Sequence, residues 1–196
     1  MLVHVFARDL PKPPDIDVTL EVTLEDVYCA RIKKIGVVVV MPDGESRRDL
    51  FVCVGDARPT YRFVGHGDCW CPRGWFGDIL VRLVIKEHAL FYRDLLDEND
   101  LVTTVRVPFL DYLYGGTYTV THLDGESINI PYHAQAENTF IHVAERGLLT
   151  PPDLVSRGRL TVFFEVVLPT VPIAKLRNPM IVATLRRLFG PVEFCL

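Results

Sequence analysis

His66, Cys69 and Cys71 crowd into one short loop, and their side chains could bind a metal or act as nucleophiles. Structural zinc takes four ligands, commonly as two Cys or His pairs. Here Cys-x-Cys with one histidine supplies three at cramped spacing, and no second pair lies nearby. A cysteine nucleophile needs a base and a group to orient that base, and the linear sequence places neither. The pattern reads as a loop with incidental thiols. Asp94-Leu-Leu-Asp-Glu-Asn-Asp100 is a dense acidic stretch and reads as a solvated turn rather than a cation site. No glycine-rich phosphate cradle, Gly-x-Ser-x-Gly elbow or His-Glu-x-x-His pair occurs. The expectation is a chain with no catalytic residue, no metal and no cofactor.

The background composition agrees. The 196 residues are 49% hydrophobic and 23% charged, with 21 Lys and Arg against 25 Asp and Glu, a net charge of −4. That describes a soluble globular protein of one large or two small domains, long enough to bury a core without disulfides. No run of Lys and Arg offers a footprint for nucleic acid. The five cysteines, at 29, 53, 69, 71 and 195, are odd in number and irregular in spacing, and the N-terminus shows no signal-peptide pattern. Both features point to a reducing intracellular compartment. The longest apolar run, Val37 to Met41, falls far short of the roughly 20 residues that span a bilayer.

The elements that must carry any function read mainly as strands. Residues 1–14 form an arm ending in Pro11, Pro13 and Pro14, which suit neither a helix interior nor a central strand. Val18, Leu20 and Val22 alternate with Thr19, Glu21 and Thr23, the period of a half-buried strand. Leu24 to Tyr28 reads as one helical turn. Ile35 to Met41 is a strand stopped by Pro42-Asp43-Gly44. Leu50 to Val54 and Arg62 to Val64 are shorter strands, Gly65 to Gly77 is a loop, and Ile79 to Ile85 closes the set. In Ile35-Gly-Val-Val-Val-Val-Met41 both faces are apolar, Val37 and Val39 pointing one way and Val38 and Val40 the other. Something must cover the second face, either the chain's own loops and sister domain or a protein partner. Thr161 to Leu168 has a similar two-sided character.

The pattern then repeats. Val22 to Asp26 is answered by Val107 to Asp111, Asp43-Gly44 by Asp124-Gly125, Gly67 by Gly147, and Gly77 to Val81 by Gly158 to Val162, at an offset of 80 to 85 residues. Two tandem β-rich units, 15–86 and 87–170, account for this, and many short strands between turns favour sandwiches. In residues 171–196, Asn178-Pro179 reads as an N-cap followed by Pro at the first helical position. Ile181, Leu185, Leu188 and Phe189 then recur at helical spacing and make one apolar stripe.

The order of these signals resembles the C-terminal domains of DnaJ-type co-chaperones. Val18-Thr-Leu-Glu-Val-Thr-Leu-Glu-Asp-Val-Tyr28 with Lys33-Lys34, Gly65-His-Gly-Asp68, and Gly77-Asp78 leading to Val84-Ile-Lys-Glu-His88 are similar to the first such domain. Phe91-Tyr-Arg-Asp94, Leu113-Tyr-Gly-Gly-Thr117, Leu123-Asp-Gly125, Ile130-Pro131 and Val166-Val-Leu-Pro169 are similar to the second. The resemblance covers about 15–170. The family's His-Pro-Asp tripeptide, its Gly/Phe-rich linker and its zinc-binding Cys-x-x-Cys-x-Gly-x-Gly repeats do not occur, so the body resembles the second family class without its J domain. The family's Gly-Trp turn is replaced by Gly55-Asp-Ala-Arg-Pro59.

The resemblance implies two tandem β-sandwiches, no catalysis, and a shallow groove for extended hydrophobic peptide formed by Val18, Leu20, Ile35, Val37 and Leu83. The same positions would serve as ordinary core. Lys33 and Arg48 match basic positions that hold the acidic tail of the seventy-kilodalton heat-shock chaperone, and Ile181, Leu185, Leu188 and Phe189 match a dimerisation segment. The expected partners are therefore unfolded or extended client polypeptides, that acidic tail, and a second copy, with no nucleic acid and no membrane. The alternative function is a structural subunit that reuses this body within an axonemal, organellar or viral particle.

Overall fold

The computed structural model describes residues 12–70, 75–133, 140–151, 155–168 and 178–189. Eleven strands and three helices follow one another among them. The first group is β1 (Ile16–Val22), α1 (Leu24–Tyr28), β2 (Ile32–Met41), β3 (Gly44–Cys53), β4 (Thr60–Phe63) and β5 (Ile79–Ile85). The second is β6 (Phe91–Arg93), β7 (Leu101–Pro108), α2 (Phe109–Tyr114), β8 (Gly116–Thr121), β9 (Ser127–Tyr132), β10 (Phe140–Val143) and β11 (Leu160–Val167). Helix α3 (Pro179–Phe189) comes last.

No sheet mixes strands of the two groups. β1, β5 and β4 form one sheet in that order, with β1 and β5 parallel and β4 antiparallel, and β2 and β3 form a separate hairpin. The second group answers it with β10-β11-β7-β6, in which β7 and β11 are parallel, and the hairpin β8–β9. A parallel pair needs a long crossover, and in both groups that crossover contains the short helix and the hairpin. The matched glycines explain why the motif survives twice. Gly67 N–H donates to the Gly77 carbonyl at 2.9 Å, and Gly147 N–H to that of Gly158 at 2.7 Å. A Cβ on Gly67 or Gly147 would come within 2.8 or 2.5 Å of the facing backbone, so only glycine permits the approach.

Side-chain burial follows the period of two. On β1, Asp17, Thr19 and Glu21 face solvent while Ile16, Val18 and Leu20 are half-buried and Val22 is buried. One hydrophobic cluster runs through both groups, from Val22, Val27, Val39 and Val81 to Leu101, Ile130, Leu148 and Val162. Helix α1 is fixed by a capping box, in which the Thr23 hydroxyl accepts from Asp26 N–H and the Asp26 carboxylate accepts from Thr23 N–H.

Three strands differ from the expected spans. β2 begins at Ile32 rather than Ile35, β3 runs from Gly44 to Cys53 rather than from Leu50 to Val54, and β4 is Thr60–Phe63 rather than Arg62–Val64. The polar run Glu45 to Asp49 lacks strand-like alternation, yet it pairs residue for residue with Val40 to Gly36. Cross-strand pairing overrides local propensity there.

Candidate functional site

The parallel register of β1 and β5 sets Val18 beside Val81 and Leu20 beside Leu83. Val18, Leu20 and Leu83 are half-buried, leaning on the core with part of each side chain in solvent. On the hairpin, Ile35 pairs with Leu50 and is likewise half-buried, whereas Val37 is buried. All five therefore belong to one apolar cluster or lie against it. Ile16, Met41, Tyr61 and Phe63 share that half-buried state against the same cluster. Sequence reasoning passed over them, although the alternation of Thr60, Tyr61, Arg62 and Phe63 carries the signal for the last two.

Lys33 and Arg48 share the inward face of the β2–β3 hairpin with Ile35 and Val37. Lys33 sits opposite Val52, and Arg48 opposite Val37. Four residues of strand, about 13 Å, separate the two levels. Their surroundings differ. The Lys33 ammonium is 2.6 Å from Asp26, whose other oxygen accepts from Arg31 at 3.0 Å. Burial pulls the Asp26 carboxyl up, but hydrogen bonds from Lys33, the Thr23 backbone and Arg31 outweigh it and hold the group below the usual carboxylate range. Arg48 forms no ion pair among the described residues, and its Nε is buried without a hydrogen-bond partner. Its guanidinium comes only within 3.9 Å of the Met41 sulfur.

The second face of the hairpin is open. Val38 is 59% and Phe51 61% exposed, and Ile32 and Val40 are also in solvent. The segment at 68–69 bonds the backbone of β2 near its end: Val40 N–H donates to the Asp68 carboxylate at 2.7 Å, and Cys69 N–H donates to the Val40 carbonyl at 2.9 Å. At the centre, Lys34 and Asp49 pair at 2.6 Å. The chain's own described loops therefore leave this apolar surface uncovered.

Cys69 is buried, His66 is exposed with its Nδ1 2.9 Å from the Val64 carbonyl, and Cys71 lies outside the described residues. The acidic stretch 94–100 is a hydrogen-bonded turn, in which the Asp94 carboxylate accepts from Leu96 N–H, that of Asp97 from Asn99 N–H, and that of Asp100 from Arg159. In α3, Asn178 caps the helix by accepting from Met180 N–H at 3.0 Å. Ile181 is exposed, and the side chains of Leu185, Leu188 and Phe189 lie outside what is described. An apolar cleft of about 590 Å³ opens between Pro108, Phe109, Leu110, Val167 and Leu168, near the point where the chain leaves β11.

A further constellation had no signal in the sequence. His122, 4% exposed, lies edge-on to Tyr28 of α1, with ring centroids 4.6 Å apart, and edge-on to Phe91 at the start of β6, at 5.3 Å. The Arg157 guanidinium covers the opposite part of this joint, 4.1 Å from the Tyr28 ring centroid.

A family model described as the DnaJ C terminal domain matches residues 16–169. "Chaperone protein DnaJ 1" of Corynebacterium efficiens is 31% identical over 112 residues, 56% of this chain and 28% of that protein. "Chaperone protein DnaJ" of Parasynechococcus marenigrum is 32% identical over 116 residues, 59% of this chain and 30% of the relative. "Chaperone protein DnaJ 1" of Corynebacterium diphtheriae is 31% identical over 137 residues, 65% and 35% respectively. The chain thus spans about a third or less of the length of these relatives.

Proposed function

The chain belongs to the DnaJ C-terminal domain family, and from that premise we propose that it is a non-catalytic, chaperone-like protein that binds extended hydrophobic segments of client polypeptides in the row Val18, Leu20, Ile35, Val37 and Leu83. In this reading residues 15–86 are the client-binding unit, 87–170 a second unit of the same kind, and 171–196 a dimerisation segment. The observation that carries it is the half-buried state of Leu20 and Leu83, side by side on parallel strands. Side chains that belonged to core alone would be shielded on all sides. These retain apolar surface that a peptide could cover, and each Å² covered contributes roughly 25 cal/mol. Arg48, lacking a carboxylate, supports an acidic group at one end of the bound segment, such as the acidic tail of the seventy-kilodalton heat-shock chaperone, whereas Lys33 would first have to leave Asp26.

The test is binding of fluorescent extended apolar peptides to the wild-type chain, to Leu20→Asp and Leu83→Asp, and to Thr19→Asp on the opposite face. The two leucine variants should lose binding while remaining folded by circular dichroism, and Thr19→Asp should keep it, because an unpaired charge in an apolar row costs several kcal/mol. Absence of affinity in the wild-type protein rejects the reading.

A second reading, a structural subunit within an axonemal, organellar or viral assembly, draws on the open face of Ile32, Val38, Val40 and Phe51. Exposed apolar surface marks interaction sites, and here it lies at both ends of the hairpin face with the charged Lys34, Asp49 and Arg47 between. Purification from the native source separates the two, since a fixed stoichiometric neighbour supports the subunit and a broad client mixture supports the chaperone.

A further inference from the structure

The joint around His122 has a chemistry of its own. Both Nδ1 and Nε2 of the ring are shielded from solvent, and among the described residues neither has a partner at hydrogen-bond geometry, the Arg146 backbone being only a weak neighbour. Buried polar nitrogens are rarely left in this state. A neutral imidazole tolerates it as an aromatic disc, packing edge-on between Tyr28 and Phe91. An imidazolium does not, because it would carry two N–H donors and a full charge into an apolar slot.

The groups facing the ring come from every element packed on it. From its own turn comes Asp124, which favours a proton. From the segments before and after residues 152–154 come Arg146 and Arg157, whose positive charges oppose one, although the Arg146 backbone favours it. Arg146 is itself engaged by Glu126 at 3.0 Å and Asp124 at 3.6 Å, so Asp124 is shared between the ring and that guanidinium. From α1 come Tyr28 and, one turn earlier, Glu25, and next to Phe91 comes His88. Desolvation is the largest influence and holds the His122 imidazole below its ordinary value.

We propose that His122 is an acid-sensitive latch between the two strand groups: on taking up a proton it leaves the slot between Tyr28 and Phe91, and α1 separates from the turn at 122–125. Apart from Phe91, the first residue of β6, the contact lies outside the sheets, so its opening leaves both sheets paired. On the other side of α1, His88 Nε2 lies 3.4 Å from the Glu25 carboxylate and its Nδ1 accepts from Phe91 N–H at 3.0 Å, a second contact that holds α1 to the start of β6. The open joint would expose Tyr28, Phe91 and the underside of α1, an apolar surface separate from the row of Leu20 and Leu83.

Imidazole NMR titration of the full chain and site-resolved amide exchange between pH 7.5 and 5.0 test the latch, with rates corrected for the intrinsic pH dependence of exchange. One linked proton changes an opening constant by up to tenfold per pH unit below the ordinary imidazole value. That acceleration is expected at the amides of Cys29 and Gly125 and not in β2 or β3. His122→Phe, which keeps the aromatic disc, should abolish it. If His122→Phe fails to fold, His122→Leu replaces it, and the wild-type titration decides alone if neither folds. An imidazole that titrates at its ordinary value without accelerated exchange overturns the proposal, as does equal acid opening in His122→Phe.

Discussion

The guanidinium of Arg157 lies 4.1 Å over the Tyr28 ring and donates from Nη2 to the Tyr28 backbone carbonyl at 3.1 Å, across 129 residues of sequence. A second donation, from Nη1 to the Gly147 carbonyl at 3.3 Å, ties the same group to its own strand group. One planar fork thereby clamps α1 to the second group of strands, and its geometry suits arginine rather than lysine.

Arg157→Ala removes the stack and leaves two carbonyls to be satisfied by water. Cation–π contacts are worth about 0.5–2 kcal/mol and net hydrogen bonds about 1 kcal/mol each. The expected loss is about 2 kcal/mol, or about 4–8 °C in Tm for a chain of this size. Arg157→Lys should recover less than half of it. Thermal unfolding followed by circular dichroism checks both, and a Tm unchanged in Arg157→Ala would mean the clamp is idle.

Acid should act on a second hub. The buried Asp78 carboxylate accepts from Gly65 N–H at 2.9 Å, from Arg62 at 2.8 Å, and pairs with Lys12 at 3.1 Å. The Gly65 N–H first, then Arg62 and Lys12, hold its carboxyl far below the usual range. A carboxyl depressed on folding contributes stability that is complete above its unfolded value and is lost as the pH falls from there towards its folded value. Asp78→Asn should therefore be less stable than wild type at pH 7, with the gap narrowing once the pH drops below about 4. Urea midpoints at pH 7 and pH 3 measure it. A gap that stays constant or widens in acid contradicts the assignment.

These two hubs mark where legibility ends. Strand β1 and the glycine pairs are readable because alternation and repetition at 80–85 residues are local signals, whereas the Thr23 and Asp26 capping pair that fixes α1 shows only in the structure. The facing of Val37 and Val39 against Val38 and Val40 was readable for the same reason, since side-chain direction alternates strictly along a strand. Glu45 to Asp49 was not, because its strand state comes from its partner β2. The Tyr28–His122–Phe91–Arg157 joint was invisible for a stronger reason: four residues far apart in the chain meet only after both strand groups have formed. In the groove row, the five chosen positions are placed on or against one cluster, while the different states of Lys33 and Arg48 depend on Asp26, a neighbour that spacing alone does not reveal.

The residue inventory also sets an expectation for the ATP-consuming partner. DnaJ-type proteins drive it through a His-Pro-Asp tripeptide, and none of the six histidines here is followed by Pro-Asp. The chain added alone should leave the ATPase rate of a seventy-kilodalton chaperone unchanged. Binding of an acidic tail peptide, if present, should weaken more in Arg48→Ala than in Lys33→Ala, because Arg48 is the cation without a carboxylate. A several-fold rise in the steady-state ATPase assay refutes the first expectation, and the reverse order of the two variants in a titration refutes the second.

Self-association is expected to rest on α3. Its capped eleven residues are too short to persist alone in water and need a surface for the apolar stripe. Within the chain Ile181 and Met180 remain exposed, so at least the first turn is not covered. A Leu or Phe side chain moved from water into an interface contributes roughly 1.5–3 kcal/mol. Four stripe residues per chain, less the cost of association, suffice for a dimer in the micromolar range. Deleting residues 177–196, or replacing Leu185→Glu together with Phe189→Glu, should give a monomer that retains the β-sheet signal. Sedimentation equilibrium at tens of micromolar decides the matter. A wild-type monomer would reject the dimer and turn the helix towards its own chain, where the cleft of Pro108, Phe109 and Leu168 offers an apolar berth close to the end of β11. In that event the same double substitution should lower Tm without changing mass.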